Sequence, residues 1–130
     1  QASHDPHGCF VTSHMNGDFL SPCTLTSLDG GKAMMEGLNQ ARISHLCLGN
    51  HEFDLGFDVL KDRLRQYKGK AINSNTQVPQ LKDLPTYDVV QVGPRSVVLA
   101  GLVTSDSSIY VPAQCPEASP FLQSCDRVWK

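Results

Sequence analysis

The sequence lacks both a long apolar run and an excess of positive charge. Its purely apolar runs, such as residues 97–100, are only a few residues long, so we expect no membrane span in this chain. Eleven Lys and Arg residues stand against 13 Asp and Glu residues, which gives a net charge of −2. Non-specific nucleic-acid binding depends on clustered positive charge that displaces counterions, so we expect no nucleic-acid partner.

The cysteines lack the spacing of a metal or redox motif. Five are present, and no C-x-x-C occurs among them, which argues against a zinc knuckle and a thioredoxin-type pair. Cys47 lies in an apolar run and is predicted to be a small core residue. A disulfide between Cys115 and Cys125 and a thiol-redox function stay open as alternatives.

What is present is the composition of an ordinary globular domain. Of the 130 residues, 40% are apolar and 18% are charged, which suffices for a hydrophobic core and is too apolar for a disordered tail. We expect one domain over residues 1–130. Residues 1–14 and 105–130 are expected to be poorly ordered or truncated edges, because the first are poor in apolar residues and the second are interrupted by prolines.

Hydrophobic periodicity predicts alternating strands and helices, and therefore an α/β layered fold. The helical stripes fall at positions 34, 38 and 41 and at positions 57, 60, 64 and 67. Residues 27–31 have loop chemistry, with Asp29 as a candidate helix N-cap. In chain order we predict a helix over 32–42, a strand over 43–48, the second helix, a strand over 71–74, and a hairpin of strands 87–92 and 96–103.

Two predicted strands end in polar residues. Gly17-Asp18 follows the predicted strand that begins near residues 9–11, and Gly49-Asn50-His51 follows the strand over 43–48. In open α/β sheets, ligands bind beyond the carboxyl ends of the strands, and a preceding glycine allows the sharp turn that directs a side chain there. Carboxylate, amide and imidazole ligands suit Mn²⁺, Mg²⁺, Fe or Zn²⁺. His45, inside the apolar strand, is expected to be a hydrogen-bonded core histidine.

Three motifs together carry a family resemblance. They are G-N-H-E-F-D-x-G at 49–56, G-D-F-L-S-P at 17–22 and G-K-x-M-x-x-x-L-N at 31–39. With these motifs the chain resembles the calcineurin-like metallophosphoesterases, and within them it is most similar to the 5′-nucleotidase branch. The resemblance covers residues 16 to about 104. It implies a layered metallophosphoesterase-like sheet with flanking helices.

The resemblance also implies a site with two divalent metal ions, Mn, Mg, Zn or Fe. Asp18 would bridge both ions and Asn50 would bind the second. His51 would stand over the phosphoryl group, and Asp54 would orient its ring or, alternatively, only cap the next helix. The two ions would activate a hydroxide for in-line attack on a small phosphomonoester, with a nucleotide as the candidate substrate. Glu52 is expected to hydrogen-bond loop amides rather than bind metal.

Part of the family pattern is missing from this sequence. No histidine follows His51, although the family needs a later histidine and a G-H-x-H. Asp5-Pro6-His7 spells the D-x-H of the first strand, but only 10 residues separate His7 from Asp18, too few for the crossover helix. Asp5 and His7 are therefore kept only as alternative metal ligands. We expect an incomplete domain that lacks the first-strand motif and the C-terminal part.

Two functions follow from this pattern. One is a metal-dependent phosphoester hydrolase of the 5′-nucleotidase type. This chain would carry only part of its site, and we expect the isolated chain to be inactive. The other is a non-catalytic pseudo-phosphoesterase that serves as a binding or regulatory module.

Overall fold

The computed structural model describes residues 3–4 and 10–118, so Asp5 and His7 lie outside the described residues. Within the described chain, strands and helices alternate before a C-terminal hairpin. The strands are β1 (Ser3–His4), β2 (Phe10–Val11), β3 (His14–Asn16), β4 (His45–Cys47), β5 (Lys70–Ile72), β6 (Tyr87–Val92) and β7 (Arg95–Ala100), and the helices are α1 (Thr24–Asp29), α2 (Lys32–Gln40) and α3 (Phe57–Leu64).

A three-stranded parallel sheet, in the order β3-β4-β5, forms the centre of the molecule. Helices α1 and α2 connect β3 to β4, and α3 connects β4 to β5, as parallel neighbours require. The register aligns Met15, Leu46 and Ala71, whose side chains face the helices. The α/β fold class predicted from periodicity is confirmed. A separate antiparallel pair joins β1 and β2.

Both predicted helical stripes pack into the core, although the first is displaced by one residue. On α2 the buried side chains are Met35 and Leu38, whereas Met34 is half-buried and Ala41 is exposed beyond the helix end. On α3 the predicted stripe is confirmed by Leu60 and Leu64. The shared core also contains Phe19, Leu20, Leu48, Phe53, Tyr67, Val78, Leu81, Val103 and Tyr110.

Helix α1 is the element that periodicity missed. It has only six residues, Thr24–Asp29, and buries a single side chain, Thr26, whose hydroxyl donates to the Leu20 carbonyl. Gly30 ends the helix in the left-handed region, with φ of 65°. The N-cap of α2 is Gly31 rather than the predicted Asp29, although the Asp29 carboxylate accepts from the N–H groups of residues 31–33 at 2.8–3.1 Å and so satisfies the start of the helix.

The predicted hairpin is confirmed as β6 and β7, joined by Gly93 and Pro94 with Val92 opposite Arg95. Its second strand was predicted to reach residue 103, and β7 ends at Ala100. Residues 101–103 leave the hairpin and bond to the chain beyond β5. Ser74 N–H donates to the Gly101 carbonyl at 2.8 Å, and Val103 N–H donates to Asn75 Oδ1 at 3.0 Å.

One ionic cluster joins the hairpin to the parallel sheet. Asp88 on β6 accepts two hydrogen bonds of 2.7 Å from Lys70 Nζ on β5 and lies 3.0 Å from His45 Nε2 on β4. His45 is buried and also contacts Ser44 Oγ at 3.1 Å, which confirms it as a hydrogen-bonded core histidine. The Lys70 and His45 hydrogen bonds lower the pKa of Asp88 from 3.8 to about 2.

Among the described residues, no helix is long and apolar enough to cross a bilayer. Three of the five cysteines fall in this part of the chain, and Cys23, Cys47 and Cys115 are all free thiols. Cys47 is half-buried rather than fully in the core, and burial raises the pKa of its thiol. A less ionised thiol is a poorer nucleophile, which disfavours a redox function for this residue.

The Asp88 cluster predicts a specific acid sensitivity. The pKa of Asp88 in the folded chain lies below its unfolded value of 3.8. The stabilisation that the Asp88 carboxylate provides is therefore complete above pH 3.8 and is lost as the pH falls toward about 2. Asp88→Asn should lower the free energy of unfolding at neutral pH by about 1 kcal/mol and make this acid loss shallower. Urea unfolding across a pH series measures both effects. Asp62→Asn, which removes an exposed pair with Arg65, is the control and should change neither. Equal acid dependence in Asp88→Asn and the unmodified chain would contradict the assignment.

Candidate functional site

Two loops meet at the carboxyl edge of the parallel sheet. The first follows β3 and begins Gly17-Asp18, and the second follows β4 and contains Gly49-Asn50. Their backbones approach so closely that a Cβ at Gly17 would lie 2.8 Å from the Gly49 Cα, and one at Gly49 would lie 2.8 Å from the Asp18 nitrogen. Glycine at both positions therefore allows the loops to touch.

The Glu52 side chain holds the two loops together through four hydrogen bonds to backbone N–H groups, which we call the Glu52 clamp. Its side chain is fully buried, and each carboxylate oxygen accepts two backbone N–H groups. Oε1 accepts from Phe19 at 2.7 Å and Leu20 at 3.0 Å, and Oε2 accepts from Gly49 at 2.6 Å and Asp18 at 2.8 Å. Burial raises the pKa of the Glu52 carboxyl, and the four N–H donors oppose that rise. The expectation that Glu52 bonds loop amides is confirmed.

This clamp places Asp18 in an unusual backbone conformation. Asp18 has φ of 54°, in the left-handed region that non-glycine residues rarely occupy. Its side chain is exposed, and Oδ1 accepts a 3.3 Å hydrogen bond from the His51 backbone N–H. Within the described chain, neither Asp18 Oδ2 nor the Asn50 side-chain amide is hydrogen-bonded to another residue. Asp18 and Asn50 thus lie on neighbouring loops at the carboxyl edge of the sheet.

His51 and Asp54 form a side-chain pair next to these oxygens. His51 Nδ1 lies 2.7 Å from Asp54 Oδ2, and the two side chains are 39% and 30% exposed. A carboxylate only accepts, so Nδ1 carries the proton and Nε2 is the ring nitrogen left for a ligand. The hydrogen bond to Asp54 raises the pKa of His51. The helix-capping alternative for Asp54 does not hold, because α3 has Gly56 as its N-cap and no side-chain cap.

Several residues that support the second loop were not found by sequence reasoning. Tyr110 packs its ring edge against Phe53, with ring centroids 5.9 Å apart. With its side-chain amide assigned the orientation that satisfies both groups, Gln114 donates to the carbonyls of Phe53 and Asp54 at 3.0 and 2.9 Å. Ser21 Oγ donates to Asp54 Oδ2 at 2.9 Å. The only sequence signal for Ser21 is its place in the motif G-D-F-L-S-P. Tyr110 and Gln114 have no such signal, because they are isolated residues in a proline-rich segment without periodicity.

The structure thus brings Asp18, Asn50, His51 and Asp54 to one edge of the sheet. In residues 3–4 and 10–118, no group of three or more His, Cys, Asp or Glu side chains could hold a metal ion. The alternative ligands Asp5 and His7 fall outside those ranges. Of the residues predicted to bind metal, those that the structure describes are Asp18 and Asn50, which offer one carboxylate and one amide.

The Glu52 clamp generates a stability prediction. Glu52→Gln keeps the shape but replaces one oxygen by an NH₂ group that faces two backbone N–H donors, so it should cost about 2–4 kcal/mol of unfolding free energy. Urea denaturation gives this value, and hydrogen exchange at the amides of residues 18–20 and 49 locates it. Glu36→Gln, on the exposed face of α2, is the matched control and should be near neutral. A Glu52→Gln chain as stable as the control would refute the clamp.

Neither a protein-family model nor a curated protein sequence matches this chain, so comparison rests on three-dimensional structure. A 5′-nucleotidase precursor from Thermus thermophilus is similar at 29% identity and a TM-score of 0.78, over 90% of this chain and 24% of that one. A putative 5′-nucleotidase from Staphylococcus aureus is 25% identical with a TM-score of 0.75, over 88% of this chain and 24% of that one. This chain spans about a quarter of the length of either structure.

A third structure is similar to this chain in fold at a lower sequence identity. The calcineurin-like phosphoesterase YfkN from Bacillus subtilis has a TM-score of 0.68 at 16% identity, over 88% of this chain and 42% of that one. At that identity the likeness concerns the fold alone. Together these structures confirm the resemblance that the motifs indicated: the chain has part of the calcineurin-like metallophosphoesterase fold and is similar to its 5′-nucleotidase branch.

Proposed function

We propose that this chain contributes part of the active site of a metal-dependent phosphoester hydrolase of the 5′-nucleotidase type. The observation that carries the proposal is the shared position of Asp18, Asn50 and the His51–Asp54 pair at the carboxyl edge of β3 and β4. That edge is where open α/β sheets bind their ligands. Asp18, Asn50 and His51 also match the motifs from which the resemblance was drawn.

The oxygen donors of this edge fit a hard divalent cation. Asp18 offers a carboxylate whose Oδ2 is not engaged in the described chain, and Asn50 offers a neutral amide oxygen. Oxygen-rich donor sets favour Mg²⁺ or Mn²⁺, and added imidazole from outside the described residues would extend the choice to Zn²⁺ or Fe. Asp18 and Asn50 would hold part of a two-metal site. Bound cations would neutralise phosphate charge and activate the attacking water.

The His51–Asp54 pair suits the leaving-group side of the reaction. Asp54 holds the ring through Nδ1–H and raises the pKa of His51, so in the protonated ring Nε2–H would be available to donate to a phosphoryl oxygen or to protonate the leaving oxygen. The His51 side chain is 39% exposed. The backbone N–H of His51 donates to Asp18 Oδ1, which ties the position of His51 to that of the proposed metal ligand. We therefore assign His51 a catalytic role and Asp54 the role of orienting its ring.

The substrate class is proposed from the neighbours. The Thermus and Staphylococcus structures are named as a 5′-nucleotidase precursor and a putative 5′-nucleotidase, so a nucleotide is the favoured phosphomonoester. A second candidate function is a non-catalytic binding or regulatory module with the same fold. Its motivation is that the described residues contain no group of three or more His, Cys, Asp or Glu side chains that could hold a metal ion.

Phosphate release tests whether this chain supplies a working hydrolase site. The purified 130-residue chain is assayed with a nucleoside monophosphate and Mn²⁺, Mg²⁺ or Zn²⁺, beside Asp18→Asn and the exposed-surface control Asp58→Asn. If the described residues complete a site with the rest of the chain, Asp18→Asn should lose at least about 100-fold in rate, since one ligand and its charge are removed. Asp58→Asn should be unchanged. No release by a folded chain would mean that it is either an inactive fragment of the hydrolase or the non-catalytic module.

Metal affinity tests the separate roles of the two loops. Mn²⁺ binding is measured by isothermal titration calorimetry for the unmodified chain, Asp18→Asn and His51→Ala. Asp18→Asn should weaken binding by about 10–100-fold, the loss typical of altered metal coordination. His51→Ala should bind Mn²⁺ as the unmodified chain does, because His51 is placed over the phosphoryl group and not on the metal. Loss of Mn²⁺ binding in His51→Ala would overturn that assignment.

A further inference from the structure

Ser21 has a hydrogen bond that the proposed mechanism does not use. Its Oγ donates to Asp54 Oδ2 at 2.9 Å, and the same oxygen accepts from His51 Nδ1 at 2.7 Å. Two donors therefore converge on one carboxylate oxygen from different sides of the site. Rotation of the Asp54 carboxylate would break both bonds, so each donor restrains the geometry of the other.

The position of Ser21 is itself fixed by the Glu52 clamp. The backbone N–H groups of residues 18–20 all bond to Glu52, and Ser21 is the next residue along the chain. Asp54 lies two residues after Glu52 on the other loop. The Ser21–Asp54 bond is thus a side-chain link between two loops whose backbones are already held in register. It can set the orientation of Asp54 without carrying the alignment of the loops.

We propose that Ser21 is a positioning residue for His51: its hydroxyl orients the Asp54 carboxylate, which in turn holds the imidazole ring as the Nδ1–H tautomer. The hydrogen bond at one ring nitrogen decides which nitrogen is left to a ligand. Through Asp54, Ser21 thereby keeps Nε2 of the neutral His51 ring unprotonated and holds the ring in one orientation. The purpose of this arrangement rests on the proposed function, whereas the tautomer itself does not.

Removal of the hydroxyl should loosen the ring without unfolding the loops. In Ser21→Ala, Asp54 keeps only the His51 donor and its carboxylate is free to rotate, so the His51–Asp54 hydrogen bond is weakened and the Nδ1–H tautomer is favoured less strongly. Ser21→Thr retains a hydroxyl on the same carbon and should restore the restraint. Ser27→Ala is the matched control, because the Ser27 hydroxyl bonds only to backbone carbonyls of residues 23 and 24.

The test is ¹⁵N NMR of the His51 ring in the ¹⁵N-labelled 130-residue chain, at alkaline pH where the ring is neutral. Metal and substrate are omitted, and His51→Ala assigns the signals. The unmodified chain, Ser21→Thr and Ser27→Ala should show a protonated Nδ1 and an unprotonated Nε2. In Ser21→Ala the two nitrogen shifts should move toward each other as the tautomers exchange, with the backbone amide spectrum otherwise retained.

Two results would overturn the proposal. One is a Ser21→Ala ring spectrum identical to that of the unmodified chain. The other is a change throughout the amide spectrum of Ser21→Ala, which would show that Ser21 supports the fold rather than His51. Because the experiment contains neither metal nor substrate, a chain that fails to bind Mn²⁺ or release phosphate would leave this readout unaffected. Failure of the proposed function and failure of the Ser21 assignment are therefore distinguishable.

Discussion

The buried carboxylate of Glu52 is the constraint on which the site depends. It accepts four backbone N–H groups from two loops that are separated by about thirty residues in the sequence. A buried charge is stable only when it is fully paired, and here the pairing uses main-chain donors rather than a cationic side chain. The left-handed backbone of Asp18 and the close contact of Gly17 with Gly49 both lie within this clamp.

The parts of the site that the sequence predicts are those within short, contiguous motifs. Asp18, Asn50, His51 and Asp54 all fall in G-D-F-L-S-P or G-N-H-E-F-D. The second motif follows a strand that an apolar run predicts, whereas no such run marks β3, which precedes the first motif. Their juxtaposition follows from the parallel pairing of β3 with β4. The catalytic and metal-binding roles proposed for these residues come from the family resemblance.

The contacts that the sequence did not predict depend on tertiary packing. Helix α1 buries only Thr26, so it has no amphipathic stripe to detect, and Gln114 reaches the second loop from a segment without regular structure. The one-residue displacement of the α2 stripe has the same origin. Met34 and Met35 are equally apolar in sequence, and only packing against the core decides that Met35 is fully buried. Strand lengths were overestimated for a related reason, because apolar runs continue past the last paired residue, as at residues 101–103.

The direction of the clamped amides has a consequence for phosphate recognition. Loops rich in glycine at the ends of parallel strands often bind phosphate by turning their main-chain N–H groups outward to form an anion nest. Here the N–H groups of Asp18, Phe19, Leu20 and Gly49 all turn inward to an internal anion. Glu52 thus occupies the place that a phosphate would take in an anion nest. At these four positions the main chain has no donor left for a ligand, so a phosphate at the proposed site would have to be attracted by other groups, such as cations or the His51 side chain.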